Sequence, residues 1–256
     1  VDSCIKQHPA LFEFLEESVE QSLDDLSLWA GFYPIKNDIT EEEKKVLVFG
    51  KLVIADYWAN CVKPVVSVKL NERIPFVEHV VPIFKYFSAV YKNIVGFQWC
   101  EKGLETNRFI SLYHTDEAGR RRLSDGVGYV VGASDEVLLI ESSGDDSEDH
   151  SKEDTMKLLE CSIRSLKAEA ERMKFASLET FRKRMDKKHW GFVFVRETII
   201  PRLWENRYDW LKVFKLIYCL KNHLEEQRSI SEQLRKETGG WVTVEAGKAL
   251  KDLRNE

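Results

Sequence analysis

Ser124-Asp125-Gly126-Val127-Gly128-Tyr129-Val130-Val131, followed by Glu136-Val137-Leu138-Leu139-Ile140-Glu141-Ser142-Ser143-Gly144, is the stretch on which the fold turns. Both halves are rich in β-branched and apolar residues, and residues 132–135 between them form a short turn-type connection. Residues 125–131 and 137–143 therefore read as an antiparallel strand pair. Asp125 opens the first strand and Glu141 closes the second, so a short connection brings the two carboxylates to neighbouring strand ends. Two carboxylates held together disfavour each other's ionisation. A divalent cation with hard oxygen ligands, Mg²⁺ or Mn²⁺, removes that conflict. Side chains alternate along a strand, so Glu141 and Ser143 face one way and Ser142 the other. The main-chain carbonyl of Ser142 can add a third oxygen.

Upstream, Phe12, Leu15, Val19, Leu23 and Leu26 recur at helical spacing within residues 1–40, which read as irregular or short helical pieces. Thr40 before Glu41, Glu42 and Glu43 is an N-cap with acids in the first turn. The helix it starts carries Val46, Phe49, Val53 and Tyr57 towards Pro64. Residues 65–70 alternate weakly, as a short strand would. From Pro75, the positions Val77, Val80, Val81, Phe84, Phe87 and Tyr91 mark a helix that Pro82 should kink or split. Residues 96–101 and 108–113 read as β structure. Downstream of the hairpin come an acid-rich loop at 147–152 and a long helix with Met156, Leu159, Ile163, Leu166, Ala170 and Met173 on one stripe. A strand at 191–200 and a helix marked by Tyr208, Leu211, Phe214, Tyr218 and Leu220 follow. Residues 224–256 are charged and weakly patterned.

Asp, then Glu-x-x closing an apolar strand, in the order helix, three strands, helix, strand, resembles the PD-(D/E)XK nuclease superfamily. The resemblance implies an α/β, αβββαβ restriction-endonuclease-like core with a mixed central sheet flanked by helices. Residues 65–224 would form that core and the helix after it. Residues 1–64 would be a helical extension packed on it, and 225–256 a charged tail or helix. It further implies that Asp125 and Glu141 bind a catalytic Mg²⁺ or Mn²⁺, and that a lysine two residues after the glutamate orients the attacking water. Ser143 stands at that place, so an ammonium would have to come from the following helix, with Lys152 and Lys157 the candidates and His150 another. The first helix of such proteins often adds an acid, here Glu78 or Glu72. The chain is also similar, over roughly 65–220, to a group of uncharacterised mucoromycete and mycorrhizal fungal proteins. The shared stretches are Asn71-Glu72-Arg73, Asp125-Gly126, Ile140-Glu141-Ser142-Ser143-Gly144, Lys157-Leu158-Leu159-Glu160-Cys161-Ser162 and Tyr208-x-Trp210.

Arg120, Arg121 and Arg122 lie just before Asp125 and, with Lys152, suit a phosphate backbone, because guanidinium gives bidentate contacts to phosphate oxygens. The competing reading of the arginines is a solubilising loop, and of Glu78 and Lys157 a solvated helix face. The 256 residues carry 38 basic and 43 acidic side chains, a net −5, so DNA or RNA contact would rest on a local patch. An apolar fraction of 43% supports a buried core. The five cysteines show no zinc spacing. No apolar run approaches the ~20 residues of a membrane span, and no leader is evident, so the expected setting is cytosol or nucleus. Nucleophile-elbow, Walker and dinucleotide motifs are absent. Two functions remain open: a metal-dependent nuclease, and a silent nuclease-fold scaffold that binds nucleic acid or protein.

Overall fold

The computed structural model describes residues 5–64, 73–104, 123–132, 135–142, 151–184 and 196–255. Helices α1 (Pro9–Glu20), α2 (Leu23–Phe32), α3 (Glu41–Val62) and α4 (Val81–Val90) precede strands β1 (Val95–Gly103), β2 (Leu123–Val130) and β3 (Glu136–Ile140). Helices α5 (Ser151–Arg172), α6 (Leu178–Arg182) and α7 (Trp210–Thr238) follow, with a 3₁₀ turn at Trp204–Asp209 before α7 and another at Leu250–Asn255. The chain is thus α/β and mostly helical. It gathers into two compact units, residues 5–92 with 196–222, and 93–142 with 151–184 and 223–255.

The first unit is helical. Pro9 starts α1, and the Ser22 hydroxyl caps α2 by accepting from Asp25 N–H at 3.2 Å. A capping box between Thr40 and Glu43 starts α3, which buries Val46, Phe49, Val53 and Tyr57. Phe49 is the hub of an aromatic core, meeting Phe214 at 5.5 Å and Phe87 at 6.0 Å between ring centroids. Pro82 has its predicted effect: an α-turn at Arg73–Pro75 gives way to a π-turn, Phe76–Val80, before α4 begins. Pro82 lacks an N–H for the carbonyl four residues back, that of Glu78, and the side chain of Asn60 donates to it instead at 3.1 Å. The extra residue of the π-turn shifts the buried stripe to Phe76, Ile83 and Phe87, and leaves Val77 exposed. Tyr208 is also exposed. It sits in the 3₁₀ turn, and the buried face of α7 here is Trp210, Val213, Phe214, Ile217 and Tyr218.

The second unit holds a sheet of order β1-β2-β3, antiparallel at both pairings. A mixed sheet was expected. Residues 196–200 of the proposed strand at 191–200 are not in a strand, Ile199 is exposed and Pro201 has no N–H, so this part is an irregular lead into the turn before α7. Residues 191–195 lie outside the described residues, as do 65–70 and 108–113. On one face, Val127 packs with Leu104 and with Cys161 of α5. The stripe of α5 is narrower than expected: Cys161 and Ala168 are buried and Met156 is exposed, because small residues let the helix lie close. Residues 225–238 continue α7. Leu224, Ile230 and Leu234 are buried, and the last two close a second core with Met173, Ala176 and Phe181. Glu237 accepts from Ser177 N–H at 2.9 Å and Thr180 Oγ1 at 2.8 Å, which ties α7 to the N-terminus of α6.

Candidate active site

The register places the two predicted carboxylates. Gly126 pairs with Ile140 and Val127 with Leu139, so Asp125 stands directly across from Glu141. Directly opposed residues share a face, and this face is that of Val127 and Leu139, on which α5 packs. The neighbour on the other side is irregular: between Trp99↔Gly126 and Lys102↔Ser124, the two residues Cys100 and Glu101 of β1 oppose Asp125 alone. Both adopt left-handed φ, 70° and 54°, a conformation that costs side-chain-bearing residues roughly 1–3 kcal/mol. A bulge of this kind twists the strand and re-aims the side chain opposite it. Ser142 N–H donates to Asp125 Oδ2 at 2.9 Å and fixes that carboxylate. It is thus the amide of Ser142 that reaches Asp125.

Lys157 lies two turns into α5. Its Nζ donates to Glu141 Oε2 at 2.7 Å, with side-chain exposures of 28% and 5% respectively. The Ser124 hydroxyl, buried beneath, donates to Ile140 O at 2.8 Å and stitches the two strands beside Glu141. Burial pushes the Glu141 carboxyl above its ordinary value, and the charge of Asp125 adds to that. Lys157 and Ser124 work in the opposite direction, but burial prevails.

Glu78 belongs to the helical unit, where its Oε2 meets Lys63 Nζ at 2.5 Å. Arg120, Arg121, Arg122, Ser143, His150 and Glu72 lie outside the described residues, and Lys152 is described only as backbone in the first turn of α5. Among the described residues, no group of three or more His, Cys, Asp or Glu stands together in a way that could hold a metal ion. Among the described residues, the predicted donors that stand together are therefore Asp125 and Glu141, with Lys157 against Glu141.

Further along β3 and α5 a cavity of about 380 Å³ is lined by Leu138, Leu158, Ser162, Leu166, Arg172 and Arg184, among others. Its charges are matched internally. Arg172 meets Asp135 at 3.3 Å, and Arg184 pairs with Glu169 and donates to Gln227 O at 3.0 Å. Sequence reasoning missed this network, the bulge and Ser124. Only the register and the packing of α5 and α7 bring such separated residues together. No family model, curated protein or solved structure matches the chain. No helix among the described residues is long and apolar enough to cross a membrane.

Proposed function

We propose that the β2–β3 edge is a metal-assisted phosphodiesterase site acting on DNA or RNA, a degenerate PD-(D/E)XK arrangement in which α5 delivers the ammonium. The observation that carries this reading is the 2.7 Å contact of Lys157 with Glu141, at the position directly opposite Asp125. Serine at 143 removes the usual lysine, and Lys157 brings an ammonium to the same carboxylate from the next helix. The order α4, β1-β2-β3, α5 is that of the first five elements of an αβββαβ core.

The residues present fit Mg²⁺ or Mn²⁺. Mg²⁺ is commonly held by one or two carboxylates, with waters and substrate phosphate completing the shell, and Asp125 and Glu141 supply two. Bound there, the cation would polarise a phosphoryl oxygen and acidify water. Asp125, fixed by the Ser142 amide, holds its orientation without reorganisation. Glu141 would then share its charge between Lys157 and the cation, and the Lys157 ammonium would stand ready to stabilise negative charge developing on the phosphate.

One observation favours a silent scaffold instead: each carboxylate already has a protein partner, and no third acid joins them among the described residues. Calorimetric titration with Mn²⁺, paired with cleavage assays on single-stranded DNA, duplex DNA and RNA, separates the readings. Heat in the wild type that is lost in Asp125→Asn and Glu141→Gln, together with Mn²⁺-dependent cleavage, supports the nuclease. Metal binding without cleavage of any substrate assigns the scaffold. Equal heats in all three proteins remove the metal site altogether.

A further inference from the structure

We propose that the helical unit carries a docking groove for a basic peptide segment of a partner protein, seated on aromatic walls beside α1 and α2. A cleft of about 530 Å³ is lined by Leu28, Trp29, Phe32, Tyr33 and Pro34, together with Glu13, Glu17, Asp25 and Lys36. That size lies within the range of ligand clefts.

The walls are held rigidly. Phe14, fully buried in the core, stacks on Trp29 at 5.4 Å and meets the edge of Tyr33 at 5.0 Å. Lys51 Nζ donates at 3.1 Å to the carbonyls of both Gly31 and Tyr33, which pins the C-terminal end of α2. With its neighbours fixed, Phe32 is directed outward and is 84% exposed, and Leu28, one turn earlier on the same helix face, is 68% exposed. Two large apolar side chains presented together beside a cleft are the kind of anchors that binding surfaces concentrate.

Charge decides the occupant. Three carboxylates line the cleft against one ammonium, and Lys36 is already engaged by Glu13 at 2.7 Å. The remaining acids are Glu17 and Asp25. Burial pushes the Tyr33 phenol up to about 12, and the nearby charges of Glu17 and Glu13 add to that. Such a surface repels nucleic acid and acidic peptides and attracts Lys or Arg. A guanidinium can also lie on the Trp29 face. The fitting segment carries basic residues interleaved with a Phe, Leu or Trp that packs on Phe32 and Leu28.

A random twelve-residue peptide library displayed on phage and selected on the whole chain tests this. Enriched peptides should be net positive with at least one large apolar residue, and a synthetic copy should lose about tenfold in affinity to Phe32→Ala, the size expected for an anchor. Replacing Glu17→Lys together with Asp25→Lys should invert the preference to acidic peptides, in a protein whose circular dichroism is unchanged. Acidic or neutral enrichment, no enrichment, or binding indifferent to Phe32→Ala overturns the groove. Self-association of the chain that Phe32→Ala abolishes in sedimentation would assign the surface to a second copy and overturn the partner assignment.

Discussion

Glu141 is the residue at which electrostatics and function meet. Its folded pKa is raised from 4.5, with burial the largest cause, so the protonated form is favoured in the folded state. The stability this adds is complete below the unfolded pKa and is lost as pH rises through the raised folded value. Glu141→Gln keeps the group neutral throughout, so its Tm should gain on the wild type's as pH rises from the ordinary carboxylate value of 4.5 through the raised folded one. Thermal melts across that window check the sign, and a gap that narrows with rising pH would refute it. Metal affinity should follow the same titration, since a ligating carboxylate must lose its proton. Mn²⁺ binding in the wild type should weaken as pH falls through a window displaced upward from the ordinary carboxylate range. Lys157→Met deletes the interactions that hold Glu141 down, so the window should move to higher pH still. A window unmoved in Lys157→Met would show that the ion pair does not set the ionisation of the site. The Asp125–Glu141 opposition could be read from the hairpin, because strand alternation and a short turn are local. The choice among Lys152, Lys157 and His150 could not, since it depends on how α5 lies over the sheet.

At the scale of elements, local chemistry and tertiary contact divide the fold between them. Helix α3 is readable from the sequence because its cap, first-turn acids and buried stripe all lie within one stretch. The buried faces of α4 and α5 are not, because a π-turn shifts one and close approach of small residues narrows the other. The C-terminal half of α7 reads as charged, since the apolar part of its buried seam is only Leu224, Ile230 and Leu234, widely spaced among charged and polar residues. The sheet has its own device. A Cβ at Gly126 would lie 2.6 Å from the Trp99 ring, and one at Gly128 would lie 3.1 Å from Leu138 Cβ, so both glycines make room beneath the stacked rings of Phe97 and Trp99. This face is opposite that of Asp125, because Gly126 is the next residue along the strand. Gly126→Ala should therefore destabilise by about 1–3 kcal/mol through overpacking, and should change tryptophan fluorescence as Trp99 is displaced. Urea denaturation monitored by that fluorescence measures both. A variant as stable as the wild type, with an unaltered spectrum, would mean that the ring is not held against β2.

On the scale of the whole molecule, a net charge of −5 leaves polyanion binding to local features. Lys157 is one such feature at the β2–β3 edge, while the α1–α2 cleft is acidic. Each unit has buried packing of its own. Phe49, Phe87, Phe214 and Tyr218 fill the helical one, while Met173, Ala176, Phe181, Ile230 and Leu234 close one core of the other. The helix α7 belongs to both, up to Asn222 with the first and from His223 with the second. Two units joined by a continuous helix pose a definite question about cooperativity, because a helix can transmit unfolding only as far as its packing holds. Leu234 is fully buried at the far end of α7, and Leu234→Ala should cost about 2–5 kcal/mol as its cavity opens. Native-state hydrogen exchange should then speed up in α5, α6 and the second half of α7, while α1, α3 and the first turns of α7 keep their protection. The expectation rests on the burial of Trp210, Val213 and Phe214 and the contact of Phe214 with Phe49, all within the first unit. Equal acceleration in α3 and α5 would instead make the two cores one cooperative body, with α7 as the element that couples them.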